Sequence, residues 1–207
     1  MGLYSACIFP FFLDLLLDNQ EFGRQRRETL APICGGTVLE IGFGTGLNLP
    51  YYPQQVTKLT VIDRERMLAG RVAKRIAAAR MPVEQMQVDA SGKLPFDENS
   101  FDAVVTTLTL CSIEDAPACL AEIRRVLKHE GRYVFLEHGR SRDERVAKRQ
   151  DRFNPIQKII ACGCNLNRPI DRIIETAGLK IAELERYWMP GSPRITGEMY
   201  RGIAGKR

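Results

Sequence analysis

The stretch 38–46 constrains this chain more than any other, because a short apolar run there leads directly into three glycines. The run 38–41 is of the kind that is buried in a parallel β-sheet. Gly42, Gly44 and Gly46 follow at alternate positions, where the lack of a Cβ atom lets a ligand approach the backbone closely. The stretch therefore predicts a β-strand that ends in a tight, ligand-binding turn.

Two residues in and beside this stretch narrow the class of ligand. Glu40 lies inside the apolar run, where a buried carboxylate requires a polar partner. A dinucleotide-binding fingerprint would place its third glycine at position 47, which is Leu47 here. This departure argues against a nicotinamide-dependent oxidoreductase. The glycines alone indicate a nucleotide-like ligand without identifying it.

Strand and helix signals alternate along most of the chain. Further strands are predicted at 58–63, 83–88, 101–107, 132–137, 179–187 and 199–204, and helices at 47–52, 64–80, 115–128 and 169–177. The stretch 139–167, rich in Arg and Lys, breaks the alternation and is interpreted as an insertion. Such an order predicts a mostly parallel sheet with helices on both faces. Ligands of such sheets bind at the carboxyl ends of the strands.

Two acidic residues close predicted strands at that edge. Asp63 ends the second strand, where a carboxylate can accept both ribose hydroxyls of an adenosine cofactor. Its alternative role is the N-cap of the helix that follows. Asp89 ends the third strand, and its alternative role is to form a turn before Ser91 and Gly92. Each acid closes a strand at the expected interval after the glycine turn.

Together with these acids, the pattern Glu40-x-Gly42-x-Gly44-x-Gly46 resembles the first motif of class I S-adenosylmethionine (SAM) methyltransferases. Leu-Pro-Phe at 94–96, Asn-Ser-Phe-Asp at 99–102 and the segment 122–128 resemble the methyltransferase type 11 group. The resemblance implies an α/β fold: a three-layer, doubly wound, mostly parallel, seven-stranded Rossmann-like sheet with an N-terminal helical extension. It also implies a single domain over 1–207 and SAM as the cofactor.

The same resemblance assigns residues to the cofactor. In that family an acid at the position of Asp89 contacts the adenine amino group, and the next backbone N–H, here Ala90, contacts a ring nitrogen. The implied cofactor contacts are Glu40, Gly42, Phe43, Gly44, Gly46, Asp63, Arg64, Asp89, Ala90 and Thr107. Asp102 is expected to satisfy structural donors instead.

A narrower resemblance lies outside this common core. The segments 110–113, 137–138 and 163–168 resemble the methyltransferase-like 7 group, whose members methylate small thiols and associate with membranes. This implies methyl transfer to a small lipophilic acceptor, with a thiol favoured. A phospholipid amine or a quinone-like acceptor is the alternative, and a non-catalytic SAM-binding protein is a second one.

His138 and Cys111 are the candidate catalytic residues, since they follow the fifth and fourth predicted strands. A neutral imidazole can accept a proton from the acceptor near pH 7, or it can only orient the insertion. Cys111 is expected to shape the site near the transferred methyl group, with a nucleophilic role as the alternative. The insertion 139–167 is expected to cover the acceptor pocket.

The apolar segment from Ile8 to Leu17 is too short to span a bilayer, and Asp14 and Asp18 interrupt it. Two interpretations stay open. Residues 1–30 can form a helical lid over the cofactor cleft, or residues 1–18 can make peripheral contact with a membrane.

Charge and cysteine content limit which partners, which cell compartment and which metal sites we expect for this chain. The net charge of +5 fits either a solvated surface or attraction to anionic lipid, and no motif indicates a nucleic-acid partner. Six scattered cysteines fit reduced thiols and a cytoplasmic protein, with peripheral membrane contact left open. Residues 162–164 lack the two-residue spacer of zinc sites, so we expect no metal site. The oligomeric state stays undetermined.

Overall fold

The structure, a computed structural model, describes residues 9–65 and 68–206. Its strands are β1 Gly36–Ile41, β2 Val56–Asp63, β3 Val83–Gln87, β4 Phe101–Thr107, β5 Leu127–His138, β6 Leu179–Trp188 and β7 Glu198–Lys206. Its helices are α1 Phe9–Leu17, α2 Gln20–Leu30, α3 Ala69–Ala77, α4 Ala116–Val126, α5 Glu144–Ile160 and α6 Ile170–Thr176. A short 3₁₀ helix covers Leu49–Tyr51.

The strands form one seven-stranded sheet in the order β3-β2-β1-β4-β5-β7-β6. Strands β1 to β5 pair in parallel, so their carboxyl ends meet at one edge. Strand β7 runs antiparallel to both of its neighbours. The predicted doubly wound, mostly parallel sheet is confirmed, and the chain order reverses direction at β1 and β4, where ligands of open α/β sheets bind.

Side chains that alternate along the strands build a core on each face of the sheet. On one face Leu39 and Ile41 of β1 pack in a cluster with residues of α4 and α6. On the other face Val38 packs in a cluster that includes Leu30 from the end of α2 and Val72 of α3. Each core lies between the sheet and the helices on that face, which gives the three layers that the sequence predicted.

The predicted helix over 47–52 is wrong, because only the three-residue 3₁₀ helix Leu49–Tyr51 forms there. Pro50 suits the start of a helix, since its missing N–H would be unpaired in any case. Pro53 forces the preceding Tyr52 into extended backbone, with φ −63° and ψ 135°. The segment therefore stops after one turn.

The helix predicted from Arg64 begins later, at Ala69. Leu68 lies inside the predicted helix 64–80, but it adopts a left-handed conformation with φ 43° at the N-cap position and so stands outside the helix that forms. The fifth strand begins at Leu127 rather than 132, directly after α4. The insertion 139–167 is largely helical, because α5 occupies 17 of its residues.

The N-terminal extension consists of α1 and α2, which are joined by a capped turn. The Asn19 side chain accepts a hydrogen bond from the Phe22 N–H at 3.0 Å and so starts α2. Within the residues that the structure describes, no helix combines the length and apolar character needed to cross a membrane.

Candidate functional site

The glycine turn follows β1 at the carboxyl edge of the sheet. Gly42, Gly44 and Gly46 all have positive φ angles, of 78°, 56° and 82°. A Cβ atom on Gly42 would collide with the Thr109 side chain, and one on Gly46 would lie 2.9 Å from the Phe43 ring. A Cβ atom on Gly44 would meet no described atom within 4 Å. Gly44 is therefore where the backbone of the turn faces open space.

Asp63 fastens this turn from the end of β2. Its Oδ2 accepts a hydrogen bond from the Gly44 N–H at 2.8 Å, and its Oδ1 accepts one from the Glu65 N–H at 3.1 Å. Burial raises the pKa of the Asp63 carboxyl, and the two N–H groups partly oppose this. The alternative role as a helix cap is wrong, because α3 begins at Ala69 with Leu68 at its N-cap.

Glu40 has the polar partners that its burial requires. The Asn48 Nδ2 group donates to Oε1 at 2.9 Å, and the Tyr52 hydroxyl donates to Oε2 at 2.8 Å. Burial raises the pKa of Glu40 to about 7, although both hydrogen bonds lower it. Asn48 also donates to Thr107 Oγ1 at 3.0 Å. Its own Oδ1 is buried, with no partner among the described residues, which leaves an acceptor for a ligand beside the turn.

The remaining predicted cofactor residues lie at the same edge of the sheet and differ in their exposure and in the contacts that they already make. Asp89 is exposed and its Oδ1 accepts from the Ser91 N–H at 2.8 Å, so the turn role exists and a ligand contact stays a prediction. Ala90 is buried beside it. The Phe43 side chain packs into the core, so only its backbone can face a ligand. Arg64 is exposed and lies 3.7 Å from the carboxylate of the residue that follows it.

A second group of side chains lies at the carboxyl ends of β4 and β5. Cys111 Sγ, Cys164 Sγ and a ring nitrogen of His138 all lie within 4.8 Å of one another. The His138 Nε2 to Cys164 Sγ distance is 2.9 Å. The contact with Cys111, together with burial, raises the pKa of the Cys164 thiol, so it keeps its proton near neutral pH and can donate to the imidazole. Residue spacing within 162–164 could not reveal this long-range arrangement.

The loop that carries Cys111 touches the glycine turn, so the two groups belong to one site. Glu137 Oε2 accepts a hydrogen bond from the Thr109 N–H at 2.9 Å and holds the start of the loop. The Thr109 hydroxyl lies 3.5 Å from the Gly42 carbonyl oxygen. The Asn165 side chain donates to the Cys111 carbonyl at 2.9 Å. The segment after α5 thus contacts the Cys111 loop, while coverage of an acceptor pocket by the insertion stays a prediction.

Helix α1 is attached to the glycine turn through Asp14. This carboxylate is buried and contacts the Thr45 hydroxyl, the Arg71 guanidinium and, at 2.7 Å, the Arg75 guanidinium. Burial would raise the pKa of Asp14, but the hydrogen bonds from Arg75, Thr45 and Arg71 outweigh this and lower it. Arg75 also donates to the Thr45 carbonyl at 2.9 Å. A charged cluster therefore joins α1, the turn and α3.

The opposite side of α1 is apolar and exposed. The exposed fractions are 45% for Phe11, 58% for Phe12, 67% for Leu15 and 68% for Leu16. Ile8 and the side chains of Phe9 and Leu13, which the membrane interpretation also included, lie outside the described residues. The helix thus presents a charged contact inward and an apolar surface outward.

Sequence reasoning missed several residues of the site. It required a partner for Glu40 without identifying Asn48 or Tyr52. It took Asp14 as an interruption of an apolar run, whereas an acid in such a run signals a buried partner. It correctly gave Asp102 a structural role, because this residue accepts from the Thr37 N–H at 2.8 Å and pairs with a lysine at the other edge.

A surface concavity of about 580 Å³ lies away from both groups. It is formed around the Leu-Pro-Phe segment 94–96. Arg125 donates to the Phe96 carbonyl at 2.7 Å and to the Leu94 carbonyl at 3.1 Å. These bonds hold the loop that leads into β4, which explains this motif without a ligand.

Comparison with known proteins gives concordant matches. Residues 39–135 match the family described as methyltransferase domain. The thiol S-methyltransferase TMT1B of Homo sapiens is 30% identical, and the match covers 92% of this chain and 84% of that protein. The phosphatidylethanolamine N-methyltransferase of Cereibacter sphaeroides is 31% identical over 116 residues, 55% of this chain and 57% of that protein.

The fold also matches solved structures. One of them, a SAM-dependent methyltransferase from Aquifex aeolicus, superposes with a TM-score of 0.64 and 18% sequence identity. The match covers 94% of this chain and 97% of the other. At this identity the likeness establishes a shared fold.

Proposed function

We propose, on the premise that this chain belongs to the SAM-dependent methyltransferases, that it methylates a small lipophilic acceptor and that a thiol is the favoured class. The observation that carries the proposal is the contact between the two groups of the site. Asp63 and the open Gly44 lie on the cofactor side, and the Cys111 loop reaches this turn through Thr109. Thiol S-methyltransferases among the relatives support the acceptor class.

The residues present fit the cofactor. When bound, SAM supplies a methyl group that its sulfonium charge has already activated. Gly44 leaves room beside its backbone, and Asp63 offers carboxylate oxygens to the ribose hydroxyls. The buried Asn48 Oδ1 is a further acceptor for a donor group of the ligand. Asp89 and Ala90 would contact the adenine ring.

On the acceptor side, His138 is the residue that can take up a proton. A free thiol has a pKa of about 8.5, so only a small fraction is ionised near pH 7. The acceptor thiol would transfer its proton to the imidazole, which leaves its sulfur as a thiolate, the form that is nucleophilic toward the methyl group that SAM would supply. Cys111 is 2% exposed and shapes the wall beside this group. Exclusion of water by α1 and α5 would keep the reacting atoms aligned.

We further propose that the protein works in the cytoplasm with peripheral contact to a membrane through residues 1–18. The exposed apolar side of α1 supports this, and so does the net charge of +5. The second half of α5 adds exposed apolar side chains, namely Phe153, Ile156, Ile159 and Ile160. Its flank carries Arg149, Arg152 and Lys158. Contact with a bilayer would bring lipophilic acceptors to the site.

The same exposed surface favours a second candidate function, methylation of a phospholipid amine or a quinone-like compound. A phosphatidylethanolamine N-methyltransferase is among the relatives and matches about half of this chain. Such acceptors stay in the bilayer and would require the apolar surface of α1 for access. Small thiols would not require it.

Methyl-labelled SAM offered with several classes of acceptor tests these alternatives. We expect label in small aliphatic and aromatic thiols, and background levels in phosphatidylethanolamine vesicles and in a quinol. Label in the lipid alone would replace the thiol proposal with its alternative. SAM binding by calorimetry without any labelled product would indicate a non-catalytic SAM-binding protein. Asp63→Ala should reduce transfer at limiting SAM by about 5- to 150-fold, while Asp97→Ala, at an exposed acid near the other edge, serves as the control.

A further inference from the structure

Three ligand-type side chains from distant segments converge beside the cofactor turn. Cys111 comes from the loop after β4, His138 ends β5, and Cys164 follows α5. Within residues 9–65 and 68–206 they are the one group of three or more His, Cys, Asp or Glu whose ligand atoms converge in this way. We propose that they bind one Zn²⁺ ion and that its fourth position receives the sulfur of the acceptor. This inference rests on the proposed thiol methyltransferase function.

The ligand set and its distances suit zinc. Two cysteines and one histidine form the protein ligands of one class of catalytic zinc site, in which a fourth position stays open. A tetrahedral ion with usual bond lengths would separate sulfur and nitrogen by about 3.6 Å and the two sulfurs by about 3.8 Å. The three ligand atoms here lie within 4.8 Å of one another. Small side-chain rotations therefore suffice, and hard cations such as Mg²⁺ would not select these atoms.

The surroundings hold the ligands in place. Asn165 donates to the Cys111 carbonyl from its backbone N–H at 2.8 Å and from its side chain at 2.9 Å. The Arg168 guanidinium donates to the Leu110 carbonyl in the same loop. Support of this kind, one layer outside the ligands, positions metal sites in general.

The charge around the cluster is compatible with the ion. The buried Glu137 carboxyl, next to His138 in the chain, accepts a hydrogen bond from the Thr109 N–H at 2.9 Å, and the Arg168 guanidinium interacts with it electrostatically. Two thiolate ligands then cancel the charge of Zn²⁺. Before the acceptor binds, the ion and its ligands therefore add no net charge to this interior.

The position of the cluster gives the ion a chemical role. With zinc bound, His138 is a ligand and no longer takes up the proton of the acceptor. An acceptor thiol that binds through sulfur instead releases its proton to solvent, because zinc favours the thiolate. The sulfur electron pair forms the new bond to the methyl carbon, while the bond from that carbon to the cofactor sulfur breaks and leaves its electrons there. The product is a neutral thioether, a weaker ligand that leaves. No oxidant or reductant is needed, and soft thiols are preferred over amines.

Metal binding by the full chain is the direct test. Protein kept reduced, stripped with a chelator and dialysed against limiting Zn²⁺ should retain one equivalent. With Co²⁺ in its place, a thiolate-to-cobalt charge-transfer band should appear. Retention no higher than that of a cysteine-blocked sample, or Co²⁺ binding without this band, would overturn the proposal. This test uses the unmodified protein, so its outcome does not depend on whether a variant folds.

Variants then locate the site. Cys111→Ser and Cys164→Ser should each weaken Zn²⁺ binding at least tenfold while SAM affinity stays unchanged. The controls are Cys34→Ser, at an exposed cysteine, and Cys162→Ser, two residues from a ligand but outside the group. Both should retain the ion, and equal loss in the controls would contradict the assignment.

Activity measurements separate this inference from the proposed function. Undiminished thiol methylation after complete zinc removal would overturn the role of the ion and leave the methyltransferase function standing, with His138 as the proton acceptor. Zinc bound at the three residues without methylation of any thiol would instead contradict the proposal that thiols are the acceptors. Restored thiol activity on adding back Zn²⁺, but not Mg²⁺, would support both.

Discussion

Replacing Asp14 by Asn should detach α1 from the glycine turn without disturbing the rest of the fold. The Asp14 side chain is 2% exposed and pairs with Arg71 and Arg75. Asp18 lies on the same side of the structure and pairs with the same Arg75 at 3.0 Å, but it is 60% exposed. The substitutions Asp14→Asn and Asp18→Asn change net charge equally, so they form a matched pair that differs in burial.

The expected magnitudes follow from that difference. A hydrogen bond to a charged group contributes about 1.5–3 kcal/mol, and Arg75 keeps its bond to the Thr45 carbonyl in the variant. We therefore expect a loss of about 2 kcal/mol, or roughly 30-fold in the docking equilibrium of α1. An exposed ion pair contributes about 0–1 kcal/mol, so Asp18→Asn should change this equilibrium by about fivefold at most.

Hydrogen exchange of the α1 backbone amides measures this equilibrium directly, at neutral pH and without cofactor. Protection should fall by about 30-fold in Asp14→Asn while β1 and β4 exchange as in the unmodified protein. Equal loss of protection in the two variants would refute the reasoning, because burial of Asp14 would then carry no weight. Unchanged protection in both would show that apolar packing alone holds the helix.

Three further predictions follow from the site and its surface. Asp63→Ala should weaken SAM binding in calorimetry by about 1–3 kcal/mol, and unchanged affinity would remove Asp63 from the cofactor site. Glu40 has a folded pKa of about 7, above its ordinary value of 4.5, so its contribution to stability is present below pH 4.5 and is lost as pH rises to 7. Glu40→Gln should therefore remove the fall in thermal stability between pH 4.5 and pH 7. At pH 8 the variant should be more stable than the unmodified protein by up to about 3 kcal/mol. Parallel pH profiles of the variant and the unmodified protein would contradict this. The double variant Phe12→Ser/Leu16→Ser should co-sediment with anionic vesicles several-fold less than the unmodified protein. Leu184→Ser, at an exposed position on β6, should bind as the unmodified protein does. Equal binding by the two variants and the unmodified protein would exclude α1 as the membrane contact.

The sheet was predictable because each strand has its own local signal. The strand Phe101–Thr107 coincides with its prediction at both ends, since alternate residues enter the two cores. The start of α3 was not predictable, because Leu68 offers no capping side chain and adopts a conformation that leucine rarely takes. Helix α5 was missed because Pro155 lies inside it, and an internal proline ordinarily ends or kinks a helix.

The cofactor half of the site was accessible to sequence reasoning for a similar reason. An acid directly after a strand, such as Asp63, must lie at the carboxyl edge, so its position along the chain fixes its place in the fold. Cys164 has no such signal. It reaches His138 only because the segment after α5 returns to β4, and that contact depends on three elements at once.

Strand β7 lies between β5 and β6, although β6 precedes it in the chain. During synthesis β6 therefore has no partner when it leaves the ribosome, and the edge of β5 stays unpaired until β7 arrives. An unpaired hydrophobic edge is a template for association with other chains. Loss of β7 would therefore be far more damaging than the loss of an edge strand, because β6 would lose its only connection to the sheet among the described strands.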